Sequence, residues 1–258
     1  MQSTHHPIIW HELLTQDITA AAEFYGNIIG LDRNEPPSDN LSLNILSAAG
    51  HSVAAIVDFP LNMTVESERS LWVSYVWVDH LDTAIAGAIK LGSILKKPAI
   101  AIAGVGRSAI LEDPQGAIFG LFAPEGEGPR RSAGSEKQPG HAVWHELYAD
   151  DPEAALAFYS KLFGWKKGPS IPMGPAGDYQ VFAVDEVPTG GMMKRPKDFG
   201  QVLWNPFFQV ADIIAAQGRI KALKGTIFDG LRQVPDGDWT LKCIDPRGAT
   251  FALSGPKI

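Results

Sequence analysis

Hydrophobic and polar positions alternate along this chain in a repeated order of strand and helix. Apolar and aromatic runs such as 8–14 and 71–78 have the composition of buried β-strands. Behind the first run, Ala21, Phe24 and Tyr25 recur at three- and four-residue spacing, which predicts a helix that packs one side on a sheet. The pattern therefore predicts a structure in which helices cover one face of β-sheets.

The predicted helices have recognisable ends. Asp17 and Asp151 can each accept a hydrogen bond from the free N–H groups of a first helical turn, and Asp79 is predicted to begin a further helix. Gly30 and Gly164 follow the apolar stripes and are predicted to end the first and third helices. These signals place one helix after the first strand of each predicted module.

The N-terminal pattern returns in the second half of the chain. Trp10 matches Trp144 and Glu12 matches Glu146 at one offset, since 144 minus 10 is 134. An Asp-Pro-x-Gly turn at 113–116 has its counterpart at 245–248. The chain is therefore a tandem duplication, for which we expect a first domain at 1–123, a linker at 124–140 and a second domain at 141–258.

These motifs together resemble the vicinal oxygen chelate superfamily, which includes glyoxalase I, bleomycin-resistance proteins and extradiol dioxygenases. The resemblance rests on a strand ending in Glu-Leu, an Asp-capped helix ending in Phe-Tyr, and the Asp-Pro-x-Gly turn before the last strand. It implies an α+β fold with two glyoxalase-like domains, each made of two βαβββ modules that form an eight-stranded cup around a small ligand. Fold alone does not fix the reaction.

Active members of this family hold a divalent metal with His and Glu on the first, fourth, fifth and eighth strands of a cup. The corresponding positions here are Trp10 and Trp144, then 54–57 and 190–193, then Val73 and Asn205, and finally Gly120 and Ala252. Only Asn205 offers an oxygen, whereas a catalytic metal needs about three protein ligands. No cofactor is therefore predicted from the residues, and a divalent metal (Zn, Fe, Mn or Ni) is implied by the family resemblance only.

Two carboxylates are the candidate catalytic groups. Side chains alternate across a strand, so Glu12 shares a face with Trp10, and Glu146 shares one with Trp144. A carboxylate beside an indole in a dry cavity can act as a general acid or base. The alternative, which we favour slightly, is that both glutamates only accept hydrogen bonds that hold the cup together.

Aromatic and amide side chains are the candidate ligand-binding groups. By strand parity one set lines the first cup and the other lines the second, where a planar organic ligand would suit them. An equally good interpretation is that the aromatics fill the cups as core. The predicted ligand-binding residues are Trp10, Tyr75 and Trp77 in the first cup, and Trp144, Asn205, Phe207 and Gln209 in the second.

Other reactive side chains have plainer interpretations. His11 and His145 each precede a glutamate, but neighbours on a strand point to opposite faces, so packing histidines are favoured. Arg107 is expected to form a surface ion pair. Cys243 is the one cysteine in the sequence, and a buried core thiol is favoured over a catalytic one.

Composition narrows the choice of partners and compartment. The formal net charge of −7, without a long basic run, argues against nucleic acid. No stretch has the roughly 18 apolar residues of a membrane span, and the first residues do not resemble a signal peptide. We therefore expect a cytoplasmic monomer or homodimer whose partner is a small molecule.

Four functional hypotheses remain open at this point. In the leading one, the cups bind a small aromatic or carbonyl-bearing molecule, and any turnover depends on Glu12 or Glu146 rather than on a metal. The second is ligand sequestration of the bleomycin-resistance kind, without turnover. The third is a metal-dependent lyase, isomerase or dioxygenase with non-standard ligands. In the fourth, one half is a degenerate structural copy.

Overall fold

Two eight-stranded sheets dominate the fold of the computed structural model, which describes residues 6–34, 43–59, 69–125, 137–197 and 199–258. The strands of the first sheet are β1 Ile8–Thr15, β2 Asp32–Asn34, β3 Leu43–Ala48, β4 His51–Asp58, β5 Leu71–Trp77, β6 Ile94–Ile102, β7 Gly106–Glu112 and β8 Ile118–Pro124. Those of the second are β9 Ala142–Ala149, β10 Lys166–Pro172, β11 Asp178–Val184, β12 Val187–Lys194, β13 Leu203–Gln209, β14 Thr226–Gln233, β15 Trp239–Ile244 and β16 Thr250–Gly255.

The strand order of the two sheets is the same. It runs β2-β3-β4-β1-β5-β8-β7-β6 in the first and β10-β11-β12-β9-β13-β16-β15-β14 in the second. In each sheet the first strand of a module pairs in parallel with the last strand of that module, as β9 does with β12 and β13 with β16. Each module is thus a βαβββ unit, and the predicted fold class is confirmed.

Each module carries one helix on the same face of its sheet. The α-helices are α1 Ile18–Tyr25, α2 Leu81–Lys90, α3 Pro152–Phe163 and α4 Ile213–Ala222; a π-helical turn spans Gly26–Gly30 and a short 3₁₀ helix spans Gly174–Ala176. Asp17 and Asp151 cap α1 and α3 as predicted, by accepting backbone N–H bonds. The prediction for α2 was wrong, because its N-cap is His80 and Asp79 precedes it.

Packing divides the described residues into two compact units that each draw on both halves of the chain. One unit lies within Met1–Trp10, Val73–Gly134 and Trp144–Trp204, and the other within His11–Trp72, Ser135–Val143 and Asn205–Ile258. In the second unit, α1 and α4 contribute to one apolar core with Trp72, Phe208 and Phe251. The domain boundaries inferred from the duplication remain a prediction; the second sheet lies within 141–258, and the first extends one residue past 123, to Pro124.

A chain of hydrogen bonds from Trp to Tyr to Asp lies in the core of each unit. In one unit, Trp72 Nε1 donates to the Tyr25 hydroxyl (3.0 Å), which donates to Asp245 (2.9 Å). The other unit has Trp204, Tyr159 and Asp113 at 3.0 and 2.9 Å. The predicted Phe-Tyr helix end and the Asp-Pro-x-Gly turn are therefore joined, with the two residues coming from different halves of the chain.

Burial changes the ionisation of these groups. It raises the pKa of both aspartates above the usual value, although turn N–H groups and the tyrosine hydroxyl stabilise the charged form. Burial, with the neighbouring carboxylate second, also raises the pKa of both tyrosines well above 10.0. Protonated tyrosines remain hydrogen-bond donors, so each Trp-Tyr-Asp series of hydrogen bonds connects a helix end to a turn.

Candidate functional site

The face of each sheet opposite the helices, which we call the cup face, carries the predicted site residues. Leu13 and Leu147 lie in the helix-side cores, so the alternate residues on β1 and β9 face the cup. These alternate residues include Trp10 and Glu12 in the first sheet. The placement predicted from strand parity is therefore observed, while the functional roles of these residues remain predictions.

Aromatic side chains pack closely on the cup face of the first sheet. Tyr75 and Trp77 on β5 are 2% and 5% exposed. The Tyr75 ring covers Gly120 on β8, where an added Cβ would come within 2.2 Å of it. Trp77 Nε1 is directed at Asp79 (3.4 Å). The space over β5 and β8 is thus filled by tyrosine, whereas Trp10 and Glu12 keep partial solvent exposure.

The cup face of the second sheet carries a hydrogen-bonded chain of three side chains. Trp144 Nε1 donates to the Tyr179 hydroxyl at 2.7 Å. That hydroxyl is in turn hydrogen-bonded to the carboxylate of Glu146, which is 1% exposed. Two predicted site residues are therefore brought together by Tyr179, a residue that the sequence did not single out.

A glycine on the intervening strand allows this arrangement. Gly191 on β12 lies beside Glu146 and Val181 in the sheet register, and the Tyr179 ring passes directly over it. A Cβ at residue 191 would lie 2.0–2.5 Å from the Tyr179 side chain. The Gly190-Gly191 pair inside a strand was the available sequence signal, because a glycine there often marks a close approach of another group.

Ionisation of Tyr179 is strongly disfavoured. Burial is the main cause that raises its pKa well above 10.0, followed by the nearby charge of Glu146, while the hydrogen bond from Trp144 acts in the opposite direction. At neutral pH the hydroxyl is therefore a donor to Glu146 and an acceptor from Trp144. The group forms a fixed polar and aromatic wall in which the Glu146 carboxylate already has one donor.

Strand β13 places three further predicted residues on the cup face. Asn205, Phe207 and Gln209 alternate with Phe208, which lies in a helix-side core. All three are buried, at 0%, 4% and 4% exposure. Gln209 Nε2 donates to Asp238 at 3.2 Å. The ring of Phe207 lies beneath the ammonium group of Lys242, at 5.9 Å from Nζ to the ring centroid.

The surroundings of His11, Arg107 and Cys243 fit structural roles for these three side chains. His11 is buried against Phe208 (ring centroids 5.8 Å apart), and burial lowers its pKa to about 3. Arg107 forms a two-point ion pair with Asp82 at the surface (2.8 and 3.0 Å), as predicted. Cys243 is fully buried, and burial raises the pKa of its thiol to about 12, which confirms the core assignment.

Two grooves lie outside the cup faces. One, of about 610 Å³, is lined by residues at the start of α2 and on β6 to β8, including Leu81, Arg107 and Pro124. The other, of about 700 Å³, is lined by the start of α3 and by β10 to β12, including Asp151 and Lys194. Neither groove is lined by a predicted site residue.

The family's metal site does not fit the side chains present. In the second sheet its four positions carry Trp144, a residue within 190–193, Asn205 and Ala252, and only the amide of Asn205 among them can coordinate through oxygen. Within the described ranges, no group of three or more His, Cys, Asp or Glu is placed to hold an ion. The described residues of the second sheet therefore lack the donors of the family's metal site.

Comparison with known proteins gives consistent matches over nearly the whole chain. A family model described as Glyoxalase/Bleomycin resistance protein/Dioxygenase superfamily matches residues 138–253. The chain is 28% identical over 251 residues to the candidate glyoxylase CFP32 of Mycobacterium tuberculosis (strain CDC 1551 / Oshkosh), covering 96% of this chain and 94% of CFP32. It is 26% identical over 263 residues to the anthracycline biosynthesis protein DnrV of Streptomyces peucetius, covering 95% and 91% of the two chains.

Solved structures share the fold. The Mn(II)-bound glyoxalase from Novosphingobium aromaticivorans superposes with a TM-score of 0.65 at 15% identity, covering 98% of this chain and 82% of that one. The similarity supports the architecture and not the metal, because the donor positions differ here. The chain thus has the duplicated βαβββ modules of these structures, and its residues 138–253 are similar to the glyoxalase, bleomycin-resistance and dioxygenase superfamily, also called the vicinal oxygen chelate superfamily.

Proposed function

We propose that this protein binds a small planar organic molecule, aromatic or carbonyl-bearing, on the cup face of its second sheet without the usual family metal. The observation that carries the proposal is the chain from Trp144 through Tyr179 to Glu146. A fixed indole beside a buried hydroxyl and carboxylate combines an apolar surface with a few oriented polar groups, as small-molecule sites do. The relative DnrV is named for anthracycline biosynthesis, which favours a planar polycyclic ligand.

The second sheet is favoured over the first because of its polar groups. On the first sheet, Tyr75 lies over Gly120 and fills that part of the cup face. On the second, Trp144 remains partly exposed while its N–H is fixed by Tyr179. Under the fourth hypothesis, in which one half is a degenerate structural copy, we therefore propose that the first half is that copy.

Tryptophan fluorescence tests the proposal through a matched pair of residues. Titration with an anthracycline and with a naphthoquinone should give saturable quenching. Trp144→Phe should remove much of that quenching, whereas Trp10→Phe, at the equivalent position of the first copy, should leave it nearly unchanged. Absence of saturable binding by any planar ligand would contradict the proposal, and so would quenching that depends on Trp10 alone.

A second candidate function is turnover with Glu146 as general acid or base. The observation that favours it is the burial of the Glu146 carboxylate against a hydroxyl donor. Glu146→Gln separates the two functions, since the amide oxygen can still accept from Tyr179 but cannot take up a proton. Sequestration should survive the change, whereas chromatography of the incubated ligand should show that any conversion is lost.

Metal analysis of the purified protein tests the third hypothesis. The proposal expects ligand binding to persist after dialysis against a chelator. A stoichiometric divalent ion whose removal abolishes binding would instead support a metal-dependent reaction with non-standard ligands.

A further inference from the structure

Asn205 is a fully buried polar residue on the cup face of the second sheet. Its side chain is 0% exposed, and neither its amide nitrogen nor its amide oxygen has a hydrogen-bond partner within the described ranges. Buried amides are almost always paired, because an unpaired one loses its hydrogen bonds to water without replacement. An amide offers both a donor and an acceptor in either orientation. Asn205 is therefore suited to a ligand that carries both a hydrogen-bond donor and a hydrogen-bond acceptor.

A second unsatisfied group lies on the same strand and the same face. Gln209 donates through Nε2 to Asp238, but its Oε1 is buried and has no partner among the described residues. The charge of Asp238 is offset by Lys137, at 3.0 Å. The Oε1 atom of Gln209 can thus accept a hydrogen bond from a ligand hydroxyl group.

Lys242 adds a cation to this strip. In the sheet register Phe207 pairs with Ala252 on β16, and Ala252 pairs with Lys242 on β15, so the three side chains form one row across the cup face. Because Ala252 is small, the lysine can extend across it, and Nζ lies 5.9 Å from the Phe207 ring centroid. Asp229 lies opposite Lys242 on β14 and also contacts Arg232 at 3.2 Å.

We propose that this strip binds an aromatic hydroxy acid, a planar ring with a carboxylate next to a hydroxyl. The inference rests on the proposed function and specifies its ligand class. Lys242 binds the carboxylate, the ring lies on Phe207, and the amides of Asn205 and Gln209 pair with the hydroxyl and the adjacent carboxylate oxygen.

Calorimetric titration with two matched probes tests the assignment. The full-length protein should bind 1-hydroxy-2-naphthoate at least about tenfold more tightly than the neutral 1-hydroxy-2-naphthamide, because only the acid offers a charge to Lys242. Lys242→Met should weaken binding of the acid by about tenfold and leave the amide unchanged. Lys257→Met is the control, because Lys257 also lies over an aromatic ring, that of Trp239 at 4.5 Å.

Asn205→Leu provides a readout that a purely structural residue would not give. Removing an unpaired buried amide should raise the melting temperature, while the Kd for both probes should rise by about tenfold or more. Equal affinity for acid and amide, or a Lys242→Met variant that binds the acid like wild type, would overturn the ligand class and leave the proposed function standing. Failure of both probes and of the planar neutral ligands would overturn both.

A melting temperature that falls in Asn205→Leu, with unchanged Kd values, would also overturn the assignment, because Asn205 would then stabilise the fold instead of binding the ligand.

Discussion

At the scale of single residues, Trp144 and Glu146 share one face of β9 and are joined by a side chain from another strand. Strand parity placed Glu146 and Trp144 together, because the two-residue period of a strand is independent of context. Tyr179 could not be found in this way, since it reaches Glu146 from β11 across β12. Contacts between strands depend on register, which periodicity does not specify.

His11 makes the stability of the fold sensitive to acid. Burial lowers its pKa from 6.5 to about 3, so the neutral form stabilises the fold above pH 6.5, and this contribution is lost as the pH falls toward 3. Between pH 6.5 and 5 the loss is up to about 2 kcal/mol. Urea unfolding at the two pH values should show this loss in wild type and not in His11→Gln; the exposed control His51→Gln should behave like wild type. Equal pH dependence in all three proteins would contradict the expectation.

Tyr179→Phe is expected to destabilise the protein by about 1–3 kcal/mol, because it removes the donor of a buried carboxylate and the acceptor of the Trp144 N–H. Glu146→Gln should cost less, since its amide oxygen still accepts from Tyr179. Chemical denaturation of both variants, and of the double variant, gives the coupling between the two side chains. Strictly additive effects would show that the charge of Glu146 adds nothing to its interaction with the Tyr179 hydroxyl.

At the scale of elements, the helix and strand assignments were confirmed where local chemistry determines them. Asp151 followed by Pro152 began α3 as predicted, and Gly164 followed its last turn. Asp79 failed as a helix start, since α2 begins at Leu81 after the N-cap His80, and Trp77 Nε1 is directed at the Asp79 carboxylate. A capping residue type is therefore not sufficient to place a helix start to the residue.

Gly191→Ala tests the role of β12 in positioning Tyr179. The added methyl group would lie 2.0–2.5 Å from the tyrosine side chain, so the ring must leave its place and lose its hydrogen bond to Trp144. We expect a destabilisation of about 1–3 kcal/mol and weaker quenching by planar ligands. Gly230→Ala on β14 is the control, since a Cβ there meets no atom within 4 Å. An equal effect of both substitutions would argue against a special role for Gly191.

At the scale of the whole molecule, the duplication predicted the two sheets but not the composition of the two packing units. The Asp-Pro-x-Gly turn was assigned from pattern alone, and an aspartate in one copy is chemically identical to its counterpart in the other. Only the structure shows that Tyr25 pairs with Asp245 and Tyr159 with Asp113. Repeats in a sequence identify equivalent positions, but they do not say which copy supplies the partner.

Separation of the predicted halves tests this dependence. A fragment of residues 1–123 contains Trp72 and Tyr25 but lacks Asp245, Phe208 and Phe251, which complete that core. We expect the fragment to unfold without a cooperative transition in circular dichroism, and to regain one when mixed with residues 141–258. A sharp transition in either isolated half would instead support two independently folding domains.

The cellular compartment of the protein remains a prediction. No helix in the described ranges is long and apolar enough to cross a bilayer.

The glycine at residue 191 also restricts how this protein could gain a metal centre by mutation. A histidine or glutamate introduced there would collide with the ring of Tyr179, as even a methyl group does. Position 179 must therefore first accept a smaller side chain, which at the same step removes the hydrogen-bond acceptor of Trp144. A donor side chain at residue 191 is therefore compatible with this sheet only together with a second substitution at residue 179.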